Sequence, residues 1–479
     1  MVNEEKEVED KYNRFKTQIK DVAKRFKELD QSLKIRLVSH LDADGISAAS
    51  ILIRLFNKEN RRYSISIVQQ LDKKIILELA KEENKVYMFS DLGSGQLKNI
   101  NEILKDKQIF VLDHHDSDKV EGDNIYHVNP HLFGIDGGSE ISGSGVSYLF
   151  AKEVNKEMED MAHVAIIGAI GDIQENQGFK GLNNEILDTA IKKKKIEVKK
   201  GLKMFGAQTK PLHKVLEYSM DPYIPGVSGS ESGAIQFLNK IGIKPREGSK
   251  WRKVVNLSDE EMDKLITSIV MQRANEKNPE NILGNVYNLL DEQEESPTRD
   301  IKEFSTLLNA CGRMSKASLG IGTCLGDKKI KQRAVKNLGN YRKEIVDAIN
   351  WYYKNKDSSD VIRGKGYVIM NAKDNILSTI AGTMASILSK DNSFEDGTYI
   401  LSMAQLDKGL TKASIRIVGR EKNIDLREII KDITDKLEGT EAGGHMFAAG
   451  ALLPTEKEEE FIDVAKEVLA KRALEEEIV

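Results

Sequence analysis

Acidic and imidazole side chains follow four short apolar runs in the first 172 residues of the chain, "IRLVS", "VYMFS", "IFVL" and "IIGAIG". The residues that follow these runs are His40, Asp42, Asp44, Asp91, Asp113, His114, His115 and Asp172. Carboxylates and imidazoles are common ligands of divalent metal ions in proteins. The pattern therefore predicts metal chemistry, although each of these acids taken alone is also typical of a helix N-cap.

The elements that must position these side chains are the strands of a parallel sheet. Five apolar runs begin at Lys34, Ser64, Lys85, Gln108 and Val164, with helical patterns between them and no polar face. This alternation predicts an α/β fold, with a sheet buried on both faces, over about the first 195 residues. Because the carboxyl ends of parallel strands share one edge, we expect the acids to converge on one crevice.

Converged carboxylates repel each other, so cations must neutralise them. Oxygen and imidazole ligands without clustered cysteines favour Mn²⁺, with Mg²⁺, Zn²⁺ and Co²⁺ as alternatives. The donors suffice for two ions, which at a separation of about 3.5–4 Å would clamp the attacking and leaving oxygens of a phosphoryl displacement. A glycine-serine stretch that opens a helix is a candidate phosphate cradle through its backbone N–H groups. It comprises Ser142, Gly143, Ser144 and Gly145.

Composition narrows the class of protein. The 479 residues carry a net charge of −4, which argues against a wholly basic nucleic-acid coat but allows a phosphate-handling cleft. No apolar run is long enough to span a membrane, so we expect a soluble, cytoplasmic protein with no membrane partner. Two cysteines, Cys311 and Cys324, cannot build a disulfide framework and are expected to be reduced.

The chain divides into five predicted segments. An amphipathic helix occupies residues 1–33 and packs across the α/β domain of residues 34–200. A mostly helical insert covers 201–328, a charged linker helix covers 329–354, and a smaller α/β domain covers 355–479. The run "IKKKKIEVKK" from Ile191 is predicted to be a solvated helix face, with a phosphate-contacting patch as the alternative.

The order of the motifs resembles the DHH phosphoesterase superfamily with its accessory C-terminal DHHA1 domain. The motifs are "SHLDADG", "FSDLGSG", "LDHHD", "NPHLFGIDGGSEISGSGVSYLF", "GAIGD" and, far downstream, "AGGHMFAAGA". Within that superfamily, the length, the insert and the phrases "KMFGAQTKPLH", "LNACGRMSKASLGIG" and "KASIRIVG" are similar to archaeal RecJ-like nucleases, among them the GINS-associated nuclease. The resemblance runs from Lys34 to Pro454 and is weakest in the insert.

The resemblance implies roles for the clustered residues. Asp91 would bridge two Mn²⁺ ions, with Mg²⁺ or Co²⁺ as substitutes. His115 would hydrogen-bond the scissile phosphate, and Asp113 would orient a neighbouring histidine. The other implied metal ligands are Asp42, Asp44, His114, Asp172 and, as in some members of the superfamily, His40.

Downstream residues are implied as substrate contacts. Gly443, Gly444 and His445 are similar to the accessory domain's nucleic-acid contact, where glycines let a phosphate approach the backbone. Arg313 and Arg416 are candidate phosphate clamps because guanidinium matches phosphate in a bidentate way, and ordinary ion pairs are the alternative for both.

These implications predict a Mn²⁺-dependent exonuclease that hydrolyses single-stranded DNA or RNA in replication or repair by a two-metal-ion mechanism. The GINS replication complex is the implied partner. One alternative is a phosphodiesterase of short oligonucleotides or cyclic dinucleotides, which share the metal motifs. The other is a non-catalytic replisome scaffold, since a eukaryotic replication-fork protein resembles the superfamily but has lost metal ligands; here every ligand position is filled.

Overall fold

A computed structural model describes residues 2–118, 120, 122–220, 222–391, 393–406, 409–419 and 424–477. The chain forms two compact units, Met1–Lys336 and Asn337–Val479. The boundary between them falls within a long helix, α13 (Lys328–Asn355), where a linker helix is predicted.

The first unit contains a five-stranded sheet in which every pairing is parallel. Its order is β2-β1-β3-β4-β5. In a sheet with this order the connections reverse direction between β1 and β3, and ligands bind at such a reversal. The strands are β1 (Ile35–His40), β2 (Tyr63–Val68), β3 (Val86–Ser90), β4 (Gln108–Leu112) and β5 (Ile125–Val128).

Helices flank this sheet, as the α/β prediction requires. The helix α1 packs through its apolar stripe: the Phe26 ring lies 5.5 Å from that of Phe150 and 5.8 Å from that of Phe110. The helices among the described residues of this part of the chain are α1 (Val2–Lys27), α2 (Ala43–Lys58), α3 (Lys73–Ala80), α4 (Leu97–Ile103), α5 (Gly143–Val154), α6 (Ala162–Gly171) and α7 (Gly181–Lys192).

One predicted strand is wrong. The apolar run from Val164 belongs to α6, and the fifth strand is β5, a short segment that the sequence pattern did not single out. The residues of α6 are buried around its whole circumference. A helix of that kind has no polar face, so its sequence cannot be told from a buried strand by periodicity.

The insert combines helices with a ribbon. Strands β6 (Ile196–Leu202) and β9 (Leu283–Leu289) pair antiparallel. The insert also has a separate apolar core, which its helices and connecting segments supply together with Leu202 of β6. The lysine-rich run is therefore not one helix face, because Ile191 and Lys192 end α7 whereas Ile196 begins β6. The remaining elements are α8 (Leu212–Glu217), α9 (Glu231–Lys240), β7 (Arg246–Glu247), β8 (Lys250–Trp251), α10 (Asp259–Gln272), α11 (Ile301–Arg313) and α12 (Ala317–Cys324).

The second unit is a mixed six-stranded sheet of order β10-β11-β12-β13-β15-β14 covered by helices. Its core brings apolar residues of the sheet together with those of α15 and α16. Within the described residues, no helix has the length and apolar character to cross a membrane. The elements are β10 (Val361–Gly364), β11 (Tyr367–Asn371), α14 (Ser378–Leu388), β12 (Tyr399–Leu406), β13 (Leu410–Ile417), α15 (Leu426–Thr434), β14 (Glu441–His445), β15 (Ala448–Pro454) and α16 (Glu458–Glu477).

Candidate metal centre

The ends of three neighbouring strands deliver most of the acidic and imidazole side chains. His40 ends β1, Asp91 follows β3, and Asp113 and His114 follow β4. These strands are adjacent in the sheet, so their carboxyl ends meet at the reversal between β1 and β3. Asp172 reaches the same edge of the sheet from the C-terminal end of helix α6.

Two helices supply the remaining acids. Asp42 is the N-cap of α2, where its carboxylate accepts from the Gly45 N–H at 3.0 Å. Asp44 lies in the first turn of α2, and Asp172 is the C-cap of α6. The prediction that Asp172 ends a strand is therefore wrong about the element, although the residue does join the cluster.

The clustered side chains form three groups, in each of which the possible ligand atoms all lie within 4.8 Å of one another. All three groups contain Asp91. The groups are Asp44–Asp91–His114–Asp172, His40–Asp42–Asp91 and Asp91–His114–His115.

His114 turns one ring nitrogen toward the acids. Its Nδ1 lies 2.6 Å from the carbonyl oxygen of Gly137, to which it donates. Its Nε2 lies 3.2 Å from Asp91 Oδ1, 3.3 Å from Asp172 Oδ2 and 3.8 Å from Asp44 Oδ2. A carbonyl that holds the Nδ1 proton is the usual arrangement for a histidine that binds metal through Nε2.

The Asp91 carboxylate is buried and under-satisfied. Asp91 is 2 % exposed, and neither oxygen has a hydrogen-bond partner in the described part of the chain. The imidazole nitrogens that approach it, of His114 and His40, stand 3.2 and 3.6 Å away. Buried oxygens without partners are unfavourable, and divalent cations would satisfy them. The donor set therefore fits metal ions.

The acids also repel one another. Burial, together with the charge of Asp91, raises the pKa of Asp44 to about 7. Burial and the charges of Asp44 and Asp42 hold the pKa of Asp172 well above its usual range. Burial opposes charge on His114, but its carboxylate neighbours outweigh that effect and hold its pKa well above the ordinary value. The cluster thus attracts positive charge, as a proton or as a metal ion.

His115 is held by Asp113. The buried Asp113 carboxylate lies 2.8 Å from His115 Nδ1 and also accepts from the backbone N–H groups of Ser94 and His114. Burial favours the neutral acid, yet the charge of His115 and these hydrogen bonds hold the pKa of Asp113 well below its usual range. Asp113 therefore stays ionised and orients the His115 ring.

Two amides of the predicted phosphate cradle donate to groups of the protein itself. The backbone N–H of Ser144 donates to Asp44 at 3.1 Å, and that of Gly145 donates to Ser142 Oγ at 3.2 Å. A side chain at Gly143 would collide with the Asp91 carboxylate, so a glycine is needed there for α5 to approach the acid. The amides of Ser144 and Gly145 therefore have partners within the protein, and the role of this stretch in binding substrate stays a prediction.

Two buried residues that sequence reasoning missed complete the site. Gln174 donates to the Gly137 carbonyl at 2.8 Å, beside the His114 ring. Asn129 donates to the carbonyl oxygen of His115 at 2.9 Å. Each lies within two residues of a quoted motif boundary, "GAIGD" or "NPH", which is the signal that could have found them.

The other predicted substrate contacts belong to α11 and to the second unit. Arg313 is half-buried at the end of α11. In the second unit, Arg416 Nε donates to Ser386 Oγ at 2.8 Å. Gly443 and Gly444 lie in β14, the edge strand of its sheet, and the side chain of His445 lies outside the described part of the chain.

Family models match three stretches of the chain. They are described as the DHH family N-terminal domain over residues 34–170, the DHH-CID domain over 204–284 and the DHHA1 domain over 364–471. The uncharacterised protein MJ0831 of Methanocaldococcus jannaschii is 31 % identical over 465 residues, which is 95 % of this chain and 98 % of that protein. The chain belongs to the DHH family.

Solved structures share the fold. RecJ of Thermus thermophilus in complex with Mn²⁺ matches with a TM-score of 0.58 at 16 % identity over 95 % of this chain, which spans 55 % of that longer chain. An exonuclease RecJ bound to manganese matches with a TM-score of 0.55 at 16 % identity over 94 % of both chains. CDC45 of Entamoeba histolytica matches with a TM-score of 0.61 at 14 % identity over 97 % of this chain and 98 % of that one.

Proposed function

We propose that this protein is a metal-dependent exonuclease that hydrolyses phosphodiester bonds of single-stranded DNA or RNA. Membership of the DHH family and the acidic cluster support a metal-dependent phosphoesterase. The observation that carries the proposal is the buried Asp91 carboxylate, which has no hydrogen-bond partner in the described part of the chain and belongs to all three ligand groups.

Two of the ligand groups would hold one ion each. The larger group combines Asp44, His114 and Asp172 with Asp91, and the smaller combines His40 and Asp42 with Asp91. When bound, divalent ions supply Lewis acidity and neutralise charge that develops on phosphate oxygens. We propose Mn²⁺ as the ion, in line with the ligand types and with the RecJ structures that contain manganese.

His115 is proposed to contact the scissile phosphate. Asp113 occupies its Nδ1, so Nε2 is the ring atom that would donate to a phosphate oxygen. Burial and the His114 charge lower the pKa of His115, but Asp113 and Asp91 outweigh them and the pKa is raised. The His115 side chain is 35 % exposed, whereas that of His114 is 2 % exposed, so of the pair it is the one that substrate can reach.

The decisive experiment is digestion of long single strands of DNA and RNA, labelled at either end, with Mn²⁺ or with a chelator. We expect stepwise shortening with Mn²⁺ and none with chelator. Asp91→Asn should lower the rate by about 1,000-fold or more, and asparagine suits the backbone there because Asp91 has a φ of 57°.

The matched control is Asp72→Asn, because Asp72 follows the neighbouring strand β2 but only caps α3, where its carboxylate accepts from Ile75. Asparagine also caps helices, so we expect full activity. Unchanged cleavage by Asp91→Asn would refute the site. Consumption of two- to five-residue substrates alone would favour the oligonucleotide phosphodiesterase instead.

A replisome scaffold is the second candidate, because the CDC45 likeness extends over almost the whole of both chains. The filled ligand positions favour catalysis over a purely structural role. We propose that the chain associates with GINS and that this association is independent of the metal centre. Co-purification of Asp91→Asn with GINS, at the level of the unsubstituted protein, is the expected result.

A further inference from the structure

A strained and exposed isoleucine stands directly beside the metal centre. Ile173 follows Asp172, and its side chain is 85 % exposed. Its φ is 59°, in the left-handed region, where a branched Cβ crowds the backbone. Exposure of an apolar side chain and strain in the backbone both disfavour isoleucine at this position, so folding alone does not explain it.

The turn requires the left-handed conformation but no side chain. The Ile173 N–H donates to the carbonyl of Ile170 at 3.1 Å, and the Gln174 N–H donates to that of Ala169 at 3.0 Å, which ends α6. Glycine adopts this conformation without strain and is the usual residue in such turns. The isoleucine side chain is therefore additional to what the turn needs.

The same turn ends α7 with a different residue. The Lys194 N–H donates to the carbonyl of Ile191 at 2.8 Å, and the Lys195 N–H donates to that of Ala190 at 2.9 Å. Lys194 has a φ of 55° and is exposed, but it is unbranched and polar. The contrast shows that the turn accepts an unbranched, polar side chain, whereas that of Ile173 is branched and apolar.

The neighbours of Ile173 both point into the site. Asp172 Oδ2 lies 3.3 Å from His114 Nε2. Gln174 is 5 % exposed and donates to the Gly137 carbonyl. The side chain between them is turned to solvent at the rim of the cluster, within one residue of a proposed metal ligand.

We propose that Ile173 is a substrate contact, packing its apolar side chain against the nucleobase next to the phosphate that is cleaved. This inference rests on the proposed function and adds a base contact to it. An aliphatic side chain offers no hydrogen-bonding group, so the contact favours any base over none and does not read sequence. Binding would bury the apolar surface that the free protein exposes.

The test compares Ile173→Asn with Lys194→Asn, which places asparagine in the same turn away from the site. Asparagine tolerates the left-handed conformation, so the Tm of both variants should be unchanged or higher. For Ile173→Asn we expect the KM, and the Kd for a labelled strand in chelator, to rise about five- to tenfold with kcat nearly unchanged. Lys194→Asn should change neither constant.

Binding of single-stranded oligonucleotides that lack the bases of the three terminal nucleotides tests whether Ile173 contacts a base. The unsubstituted protein should bind such strands about five- to tenfold more weakly than intact ones, whereas Ile173→Asn should bind both equally. Met271→Gln, which removes a side chain that is 71 % exposed in α10, should retain the preference for bases.

Either of two results would overturn the inference. One is an unchanged KM and Kd for Ile173→Asn, and the other is a lower Tm, which would make Ile173 a packing residue. If the unsubstituted protein itself neither bound nor cleaved single strands, the proposed function would fail, and this contact with it.

Discussion

Two buried carboxylates, one in each unit, differ in their partners. Glu458, at the start of α16, is 8 % exposed and accepts from Asn371 at 2.8 Å, from Gln405 at 3.0 Å and from Thr411. Asp91 is more deeply buried, and neither of its oxygens has a hydrogen-bond partner among the described residues.

The difference separates a structural acid from a proposed metal ligand. Three donors compensate Glu458 for the water that it loses on burial, so it needs no further partner. Asp91 instead faces Asp44 and Asp172, and like charges at that range are unfavourable without a cation. Burial alone therefore does not indicate a metal site. Burial without hydrogen-bond donors, in a cluster of acids, is the feature on which the proposal of a metal site at Asp91 rests.

The largest predicted contrast concerns metal binding. Mn²⁺ should stabilise the unsubstituted protein by about 2.7 kcal/mol per site when the free ion is at 100 times its Kd. Thermal unfolding with and without Mn²⁺ measures this gain in stability. We expect the full gain for Glu458→Gln and only a small part of it for Asp91→Asn. Equal gains in both variants would contradict the proposal that Asp91 binds metal whereas Glu458 does not.

Loss of Asp113 should separate orientation from metal binding. Asp113→Asn weakens the contact that holds His115 Nδ1, and we expect kcat to fall about 10- to 100-fold. Because Asp113 belongs to none of the three ligand groups, the Mn²⁺ midpoint of activity should stay within about threefold. A shifted midpoint with an unchanged kcat would mean that Asp113 serves the metal instead.

Glu458→Gln should affect stability and leave chemistry intact. Its amide group cannot accept from all the donors that now point at the carboxylate, so the free energy of unfolding should fall by about 1–3 kcal/mol. Urea unfolding measures the loss, and kcat per folded molecule should match that of the unsubstituted protein. A large loss of kcat with normal stability would place Glu458 in the reaction.

The smallest expected effect on stability concerns His163. Its Nδ1, like the Asp91 carboxylate, is buried without a hydrogen-bond partner among the described residues. Burial and the charge of Lys195 lower the pKa of His163 from 6.5 to about 4. The unfolded chain gains this proton below pH 6.5 whereas the folded chain resists it, so stability should fall as the pH drops from about 6.5 to about 4.

His163→Gln should flatten this part of the pH dependence without changing the Mn²⁺ gain. Stability measured by urea unfolding across that pH range is the readout. An unaltered pH dependence would show that His163 does not control acid sensitivity.

Much of the site follows from the sequence because short strands and their terminal residues are local features. The runs before His40, Asp91 and Asp113 are strands, and their order brings these residues to one edge. The same reasoning placed Asp172 after a strand, although α6 is a helix buried on all sides. The expectation of convergence therefore held for Asp172 although the element was wrong.

Other features depend on contacts between distant parts of the chain. Gln174 and Asn129 act through backbone carbonyls that only the folded chain brings near them. The amides of Ser144 and Gly145 are bonded to Asp44 and to Ser142, and the first of these bonds joins residues 100 positions apart, which no local pattern reveals. The ribbon of β6 and β9 joins strands about 80 residues apart in sequence, so periodicity within either strand could not predict the pairing.

Anomalous diffraction from crystals grown with Mn²⁺ would test whether the acidic cluster holds two metal ions. We expect two peaks, both within ligand distance of the Asp91 carboxylate, one shared with Asp44, His114 and Asp172 and the other with His40 and Asp42. Anomalous peaks elsewhere, with Asp91 bound to no ion at saturating Mn²⁺, would contradict it.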